Sequence, residues 1–272
     1  MQNHSIRGSS FNLPANRHLW KTLGAYDALV EFIECSCRVF LNKYKISGDD
    51  FKVFLTKESE EVGIYLRDLS LANYRCITNK SYLIYPYACF DKFIFEFIKD
   101  VRKIIDVHFQ LKQKDDATNF ERLLDALKEL DIKPNISKAK KDLFDYYRLV
   151  RNSIAHKGDA DLKNAFKKIN KIEIKEIYPT LSEPQLEENI GFDDFILCTA
   201  NIKNIADILT VSLETYVKWN EIGLLNKELF PKYNTVRFNL KRSKIYIQNC
   251  IRSEYGVYLE DAIYDKIMGS LE

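Results

Sequence analysis

The chain is poor in the two residues that interrupt helices. It has nine glycines and six prolines among 272 residues, less than half the roughly 12% that average usage supplies. That scarcity excludes collagen-like, linker-dominated and turn-rich all-β architectures. An excess of one charge is also missing, since 41 basic side chains stand against 39 acidic ones for a net charge of +2. Overall charge therefore does not mark a nucleic-acid binder, and such a partner has to be argued from local clusters. Long apolar runs are lacking too. Residues 1–20 hold no stretch of signal-peptide length, and the most membrane-like segment, 82–98, is broken by Pro86, Asp91, Lys92 and Glu96. The expectation is a soluble, cytoplasmic protein with no membrane contact, in which 82–98 is aromatic core.

Metal-ligand spacing is absent as well. Cysteines stand at 35, 37, 76, 89, 198 and 250 with no Cys-x-x-Cys pair and no histidine placed to complete a zinc site. Cys35 and Cys37, two apart on a helix, point in nearly opposite directions. Reduced structural thiols are expected, and neither a metal nor a cofactor is implied.

What the chain does have is 46% apolar and 29% charged residues, enough to bury well over half of its unfolded surface, and a dominant helical period. From His18 to Lys45 apolar residues recur by threes and fours, and Ser47-Gly48-Asp49 stops the run. Further helical stretches cover about 50–78 and 86–107. Thr118 and Glu121 form a capping box for a helix that ends before Pro134. The next helix starts at Ser137 and ends near His156-Lys157-Gly158. Lys171 to Tyr178 reads as a short strand or hairpin arm, 179–191 as a loop, and 192–219 as a helix begun by Asp193 and Asp194. The expected fold is an all-α bundle of about six to seven helices over 1–230, with a small basic and aromatic C-terminal extension, 231–272, packed on it.

The helix from Ser137 to His156 carries the candidate chemistry. On a wheel of about 100° per residue, Tyr147, Val150 and Ile154 fall within about 40° of Leu143, a buried stripe. Arg148, Asn152 and His156 lie on the opposite face, with Arg151 on its flank. Two guanidinium groups, a carboxamide and an imidazole within two turns suit the holding and cleaving of a phosphodiester. A solvated helix face, with a histidine complementing the helix dipole, would look the same.

Arg151-Asn152-Ser153-Ile154-Ala155-His156 resembles the signature of the HEPN superfamily (higher eukaryotes and prokaryotes nucleotide-binding): an Arg, usually followed by a polar residue, then a His after four to six positions. The apolar lead-in Tyr147, Leu149 and Val150 and the trailing Lys157-Gly158 are similar too. The resemblance implies a helical bundle that dimerises so that two motifs face each other, with metal-independent RNA cleavage at the composite site. Arg151, Asn152 and His156 would be catalytic, with Arg148 and Lys157 on RNA. It also implies a toxin or antiphage effector, with an antitoxin or defence-system protein as a further partner. Relatives silenced by nucleotidylation carry a Tyr two residues after the His, where this chain has Gly158.

With twelve arginines and four histidines, a bare Arg-x(4–6)-His arises by chance roughly 0.5 times. Arg102 and His108 supply such a decoy, followed by Lys103 and read as mid-helix. A small polar residue after the Arg and a helix-terminal position cut the expectation to about 1 in 30. Residues five apart diverge by about 140°, so Arg151 and His156 of one copy do not converge, and a homodimer resolves that geometry. Asp145, on the same face, is expected to pair with Arg148 or Arg151 of the second copy.

The tail is the second feature. Lys232, Arg237, Lys241, Arg242, Lys244 and Arg252 occur without an acid and are interleaved with Tyr233, Phe238 and Tyr246. That is a single-stranded RNA pattern, with Lys241 and Arg242 as contacts, or else a basic hairpin or helix packed on the bundle. Residues 261–272 turn acidic and read as a terminal helix. The expected function is a metal-independent endoribonuclease acting on RNA as a homodimer. The alternative is a non-catalytic helical interaction or nucleic-acid-binding module that retains the motif.

Overall fold

The computed structural model describes residues 11–66, 71–155 and 161–271. Among them every regular element is a helix and there is no strand. Helix α1, Pro14–Ser47, begins with a proline, whose missing N–H costs nothing in a first turn. The Ala15 N–H donates to the Asp100 carboxylate at 2.9 Å. Gly48, at φ 73°, ends the run as its sequence predicts, and Asp50 caps α2, Phe51–Glu61, by accepting from the Lys52 N–H. The single stretch expected over 50–78 is divided, because α2 stops before Gly63 at φ 73° and α3 covers Leu71–Ser81.

Helix α4 is Ile84–Ile104, with Pro86 inside its first turn. The capping box opens α5, Asn119–Glu129, with both reciprocal bonds formed. Ser137 Oγ accepts from the Lys140 N–H and starts α6, Lys138–Ala155. The expected stop at 156–158 lies outside the described residues. Helix α7 is Leu162–Lys168. The segment read as a strand is instead helix α8, Lys171–Ile177, because Asn170 accepts from the Glu173 N–H as its cap and Ile174 is the isoleucine that turns inward. Helix α9, Phe192–Val211, stops eight residues short of Trp219, and 3-10 turns follow at Glu214–Tyr216 and Trp219–Glu221. Then come α10, Ile222–Leu225, α11, Tyr233–Val236, α12, Leu240–Tyr255, and α13, Asp261–Leu271. The all-α class holds, with more and shorter helices than the six or seven expected.

Two compact units share the chain. The first comprises 1–21, 88–136 and 203–272, so residues 231–272 belong to it; the second comprises 22–87 and 137–202. In the first, Phe93, Phe97, Val101, Leu127, Leu209 and Ile251 are buried. Helix α13 packs on α10, and Gly223 permits that approach, since a Cβ there would collide with the Ser270 hydroxyl and stand 3.2 Å from the Ile267 carbonyl oxygen. In the second, Leu23, Val30, Phe54, Leu143, Tyr147 and Phe195 are buried.

Segment 82–98 is aromatic core, with Tyr82, Tyr87, Phe90, Phe93 and Phe97 all buried. Among the described residues the helical stretch long and apolar enough to cross a membrane is not this one but Phe192–Tyr216, and 61% of its apolar window is buried inside the protein.

Candidate functional site at the end of helix α6

Helix α6 is held by a buried polar network in the second unit. Leu143, Phe144, Tyr146, Tyr147 and Val150 are fully buried. Tyr147 OH donates to Asp194 Oδ1 at 2.8 Å, and the same carboxylate accepts from the backbone N–H groups of Gln185 and Gly191, each at 2.9 Å. Gly191 precedes α9 and Asp194 is its third residue, so the Gly191 bond is half of a capping box. Burial pushes the Asp194 carboxyl above the ordinary carboxylate range, against the pull of its three donors. Tyr146 OH donates to the Gln185 carbonyl at 2.7 Å, and Tyr87 OH to the Phe144 carbonyl at 2.6 Å. These bonds fix the rotation of α6 and hence where its polar residues point.

The motif residues are less open than the wheel predicts. Arg148, Arg151, Asn152 and Ser153 are all half-buried, because α3, α7 and α8 pack on α6. Ile154, placed in the buried stripe by its spacing, is half-buried as well. Arg151 donates from a terminal guanidinium nitrogen to Asn152 Oδ1 at 2.9 Å. The Nε of Arg151 is buried with no hydrogen-bond partner among the described residues. Arg148 Nε donates to Asp145 Oδ1 at 3.3 Å, so the acid expected to reach a second copy is engaged three residues away on its own helix. Ser153 Oγ donates to the Val150 carbonyl at 2.8 Å and lies 3.4 Å from Glu187 Oε1. That carboxylate also pairs with Lys80 at 2.9 Å.

The structure thus brings Arg151 and Asn152 together and sets Arg148 one turn earlier. His156 and Lys157 lie outside the described residues. Lys241 and Arg242 belong to the first compact unit, exposed in the first turn of α12. Nearby Phe238 is 86% exposed, with the Arg237 guanidinium 4.9 Å from its ring centroid. Two other tail cations are engaged: Lys244 pairs with Asp261 and Asp265, and Arg252 covers Tyr258. The tail is helical, not a hairpin.

The decoy sits differently from its reading. Arg102 is in the last turn of α4, not mid-helix, and donates from Nε to the Phe109 carbonyl at 2.6 Å, closing the segment after the helix. What separates it from Arg151 is that structural bond and the following Lys103.

Sequence reasoning missed Glu187, Lys80 and a polar cleft of about 530 Å³ lined in part by Glu34, Arg38, Arg75, Asn79, Asn189 and Asp193. These residues come from three distant segments, and no local spacing joins them. Among the described residues no group of three or more His, Cys, Asp or Glu is placed to hold a metal. No family model, curated protein or solved structure matches the chain.

Proposed function

We propose that the chain is a HEPN-type endoribonuclease that cuts RNA without a metal, at a site composed from Arg151, Asn152 and His156 of two copies. The observation that carries this reading is the state of Arg151. Its guanidinium is held by Asn152, with a buried Nε donor left unmatched among the described residues. A buried donor without an acceptor costs about 1–3 kcal/mol, and the terminal nitrogens of the same half-buried side chain are suited to bind an anion. A phosphodiester supplies one.

The reaction asks for little else. The ribose 2′-hydroxyl attacks the adjacent phosphorus while a neutral His156 takes its proton, and Arg151 binds the phosphorane oxygens. The bond to the 5′-oxygen breaks, and that oxygen receives a proton from the imidazolium of the second copy. The products are a 2′,3′-cyclic phosphate and a 5′-hydroxyl. The nucleophile belongs to the substrate, so cleavage should persist in EDTA and a DNA strand of the same sequence should stay intact. Incubation with end-labelled RNA and mapping of the termini tests this; a magnesium requirement or a cut deoxy strand would contradict it.

The second reading, a nucleic-acid-binding module that does not cut, is favoured by the exposed Phe238 beside Arg237, Lys241 and Arg242. Rings that stack bases next to unpaired cations suit single strands. Retention of intact RNA in a gel-shift experiment would favour it.

A further inference from the structure

The C-terminal two-thirds of α1 leaves an apolar strip uncovered. Leu29, Phe32, Val39 and Ile46 are 52%, 69%, 65% and 85% exposed, on a helix whose opposite side buries Leu23 and Val30. With Ala25, Ser36 and Lys43, also exposed, they alternate in steps of four and three from 25 to 46. That 3.5-residue period keeps one seam facing a partner helix along a length of about 32 Å. The two polar members fit such a seam. Ser36 Oγ donates to the Phe32 carbonyl of its own helix at 2.9 Å, so its hydroxyl needs no outside partner, and Lys43 pairs with Glu58 of α2, leaving its methylene stem along the strip.

Soluble monomers rarely expose a contiguous apolar patch beyond a few hundred Å². The four large side chains hold on the order of 500 Å², and with their small neighbours the strip approaches the roughly 800 Å² per partner of a standard interface. The strip is also nearly symmetric under reversal. Phe32 and Val39 flank Ser36, Leu29 and Lys43 lie seven residues to either side, and Ala25 and Ile46 close the ends. A two-fold contact needs no such symmetry in the sequence, but with the axis across the helix near Ser36 this arrangement sets Phe32 beside Val39, and Ala25 beside Ile46, of the second copy. A parallel pairing would set Lys43 against its own copy, whereas an antiparallel one places it beside Leu29 and opposes the two helix dipoles.

We infer that α1 is the interface of a homodimer, in which two copies pair antiparallel through this strip about an axis near Ser36. The proposal shares with the cleavage reading the need for two copies, and the two are told apart by a dimer indifferent to the α1 substitutions, which would remove this strip as the interface and leave the composite site standing. Cys35, exposed and beside the axis, reports the contact.

Sedimentation of the full chain across the micromolar range should show a dimer. Phe32→Glu and Val39→Glu, at exposed positions that leave the core intact, should each raise its dissociation constant by about 30-fold or more with unchanged helical circular dichroism. Phe238→Glu, in the other unit, should leave it as it is. A short bismaleimide should link two wild-type chains and fail on Cys35→Ser. A monomeric wild-type protein, a dimer indifferent to both α1 substitutions, or a cross-link that survives Cys35→Ser would overturn the proposal.

Discussion

Asp194, buried, and Asp100, half-buried, show how much of this molecule rests on single carboxylates. Tyr147 OH reaches Asp194 inside the second unit, so Tyr147→Phe deletes one of three donors to a buried acceptor. The expected cost is about 1–3 kcal/mol, read from urea denaturation; an unchanged midpoint would remove that bond from the account of how α6 is fixed. Asp100 accepts from the first turn of α1, and burial lifts its carboxyl to about 6. A carboxyl whose folded pKa lies above its unfolded one binds protons more tightly when folded, so its ionisation opposes folding. The penalty therefore grows as pH rises from about 4 to about 6 and is constant above, reaching at most ~3 kcal/mol. Asp100→Asn keeps an acceptor for the Ala15 N–H and loses the charge. Its stability relative to wild type should rise through that pH window and then level off, and a gap that does not vary with pH would contradict this.

At the scale of elements, legibility followed whether the signal was local. Thr118 and Glu121 announce α5 because a capping box lies within four residues, and Thr118→Ala should cost about 1 kcal/mol by removing it. Ser47-Gly48 likewise ends α1 where its sequence says. Residues 171–178 read as a strand because Ile172, Ile174 and Ile177 mix a two-residue and a three-residue spacing, whereas the Asn170 cap decides for helix. The outward face assigned to Arg148 and Asn152 came from a wheel centred on Leu143, which cannot register α3, α7 and α8 closing in from the sides. Gly223 is invisible in the sequence for the same reason, since its role depends on Ile267 and Ser270 of α13, more than 40 residues later. Gly223→Ala should push that helix away and destabilise the first unit by about 1–3 kcal/mol, measurable as a lowered thermal midpoint.

At the scale of the whole molecule, the division into discontinuous units could not be read along the chain, because each is assembled from segments at least 50 positions apart. Of the candidate site, the Arg151-Asn152 pair was legible from adjacency and its bond is formed, whereas Glu187 and Lys80 come from elsewhere in the second unit. The central claim is that Arg151 and His156 cut RNA. Its most direct test is cleavage of labelled RNA in EDTA by wild type, Arg151→Ala and His156→Ala, with Arg102→Ala and His108→Ala as controls and circular dichroism on each. Wild type and both controls should cut, while Arg151→Ala and His156→Ala stay folded and inactive. Intact RNA with the wild type, or full activity in folded His156→Ala protein, would contradict it.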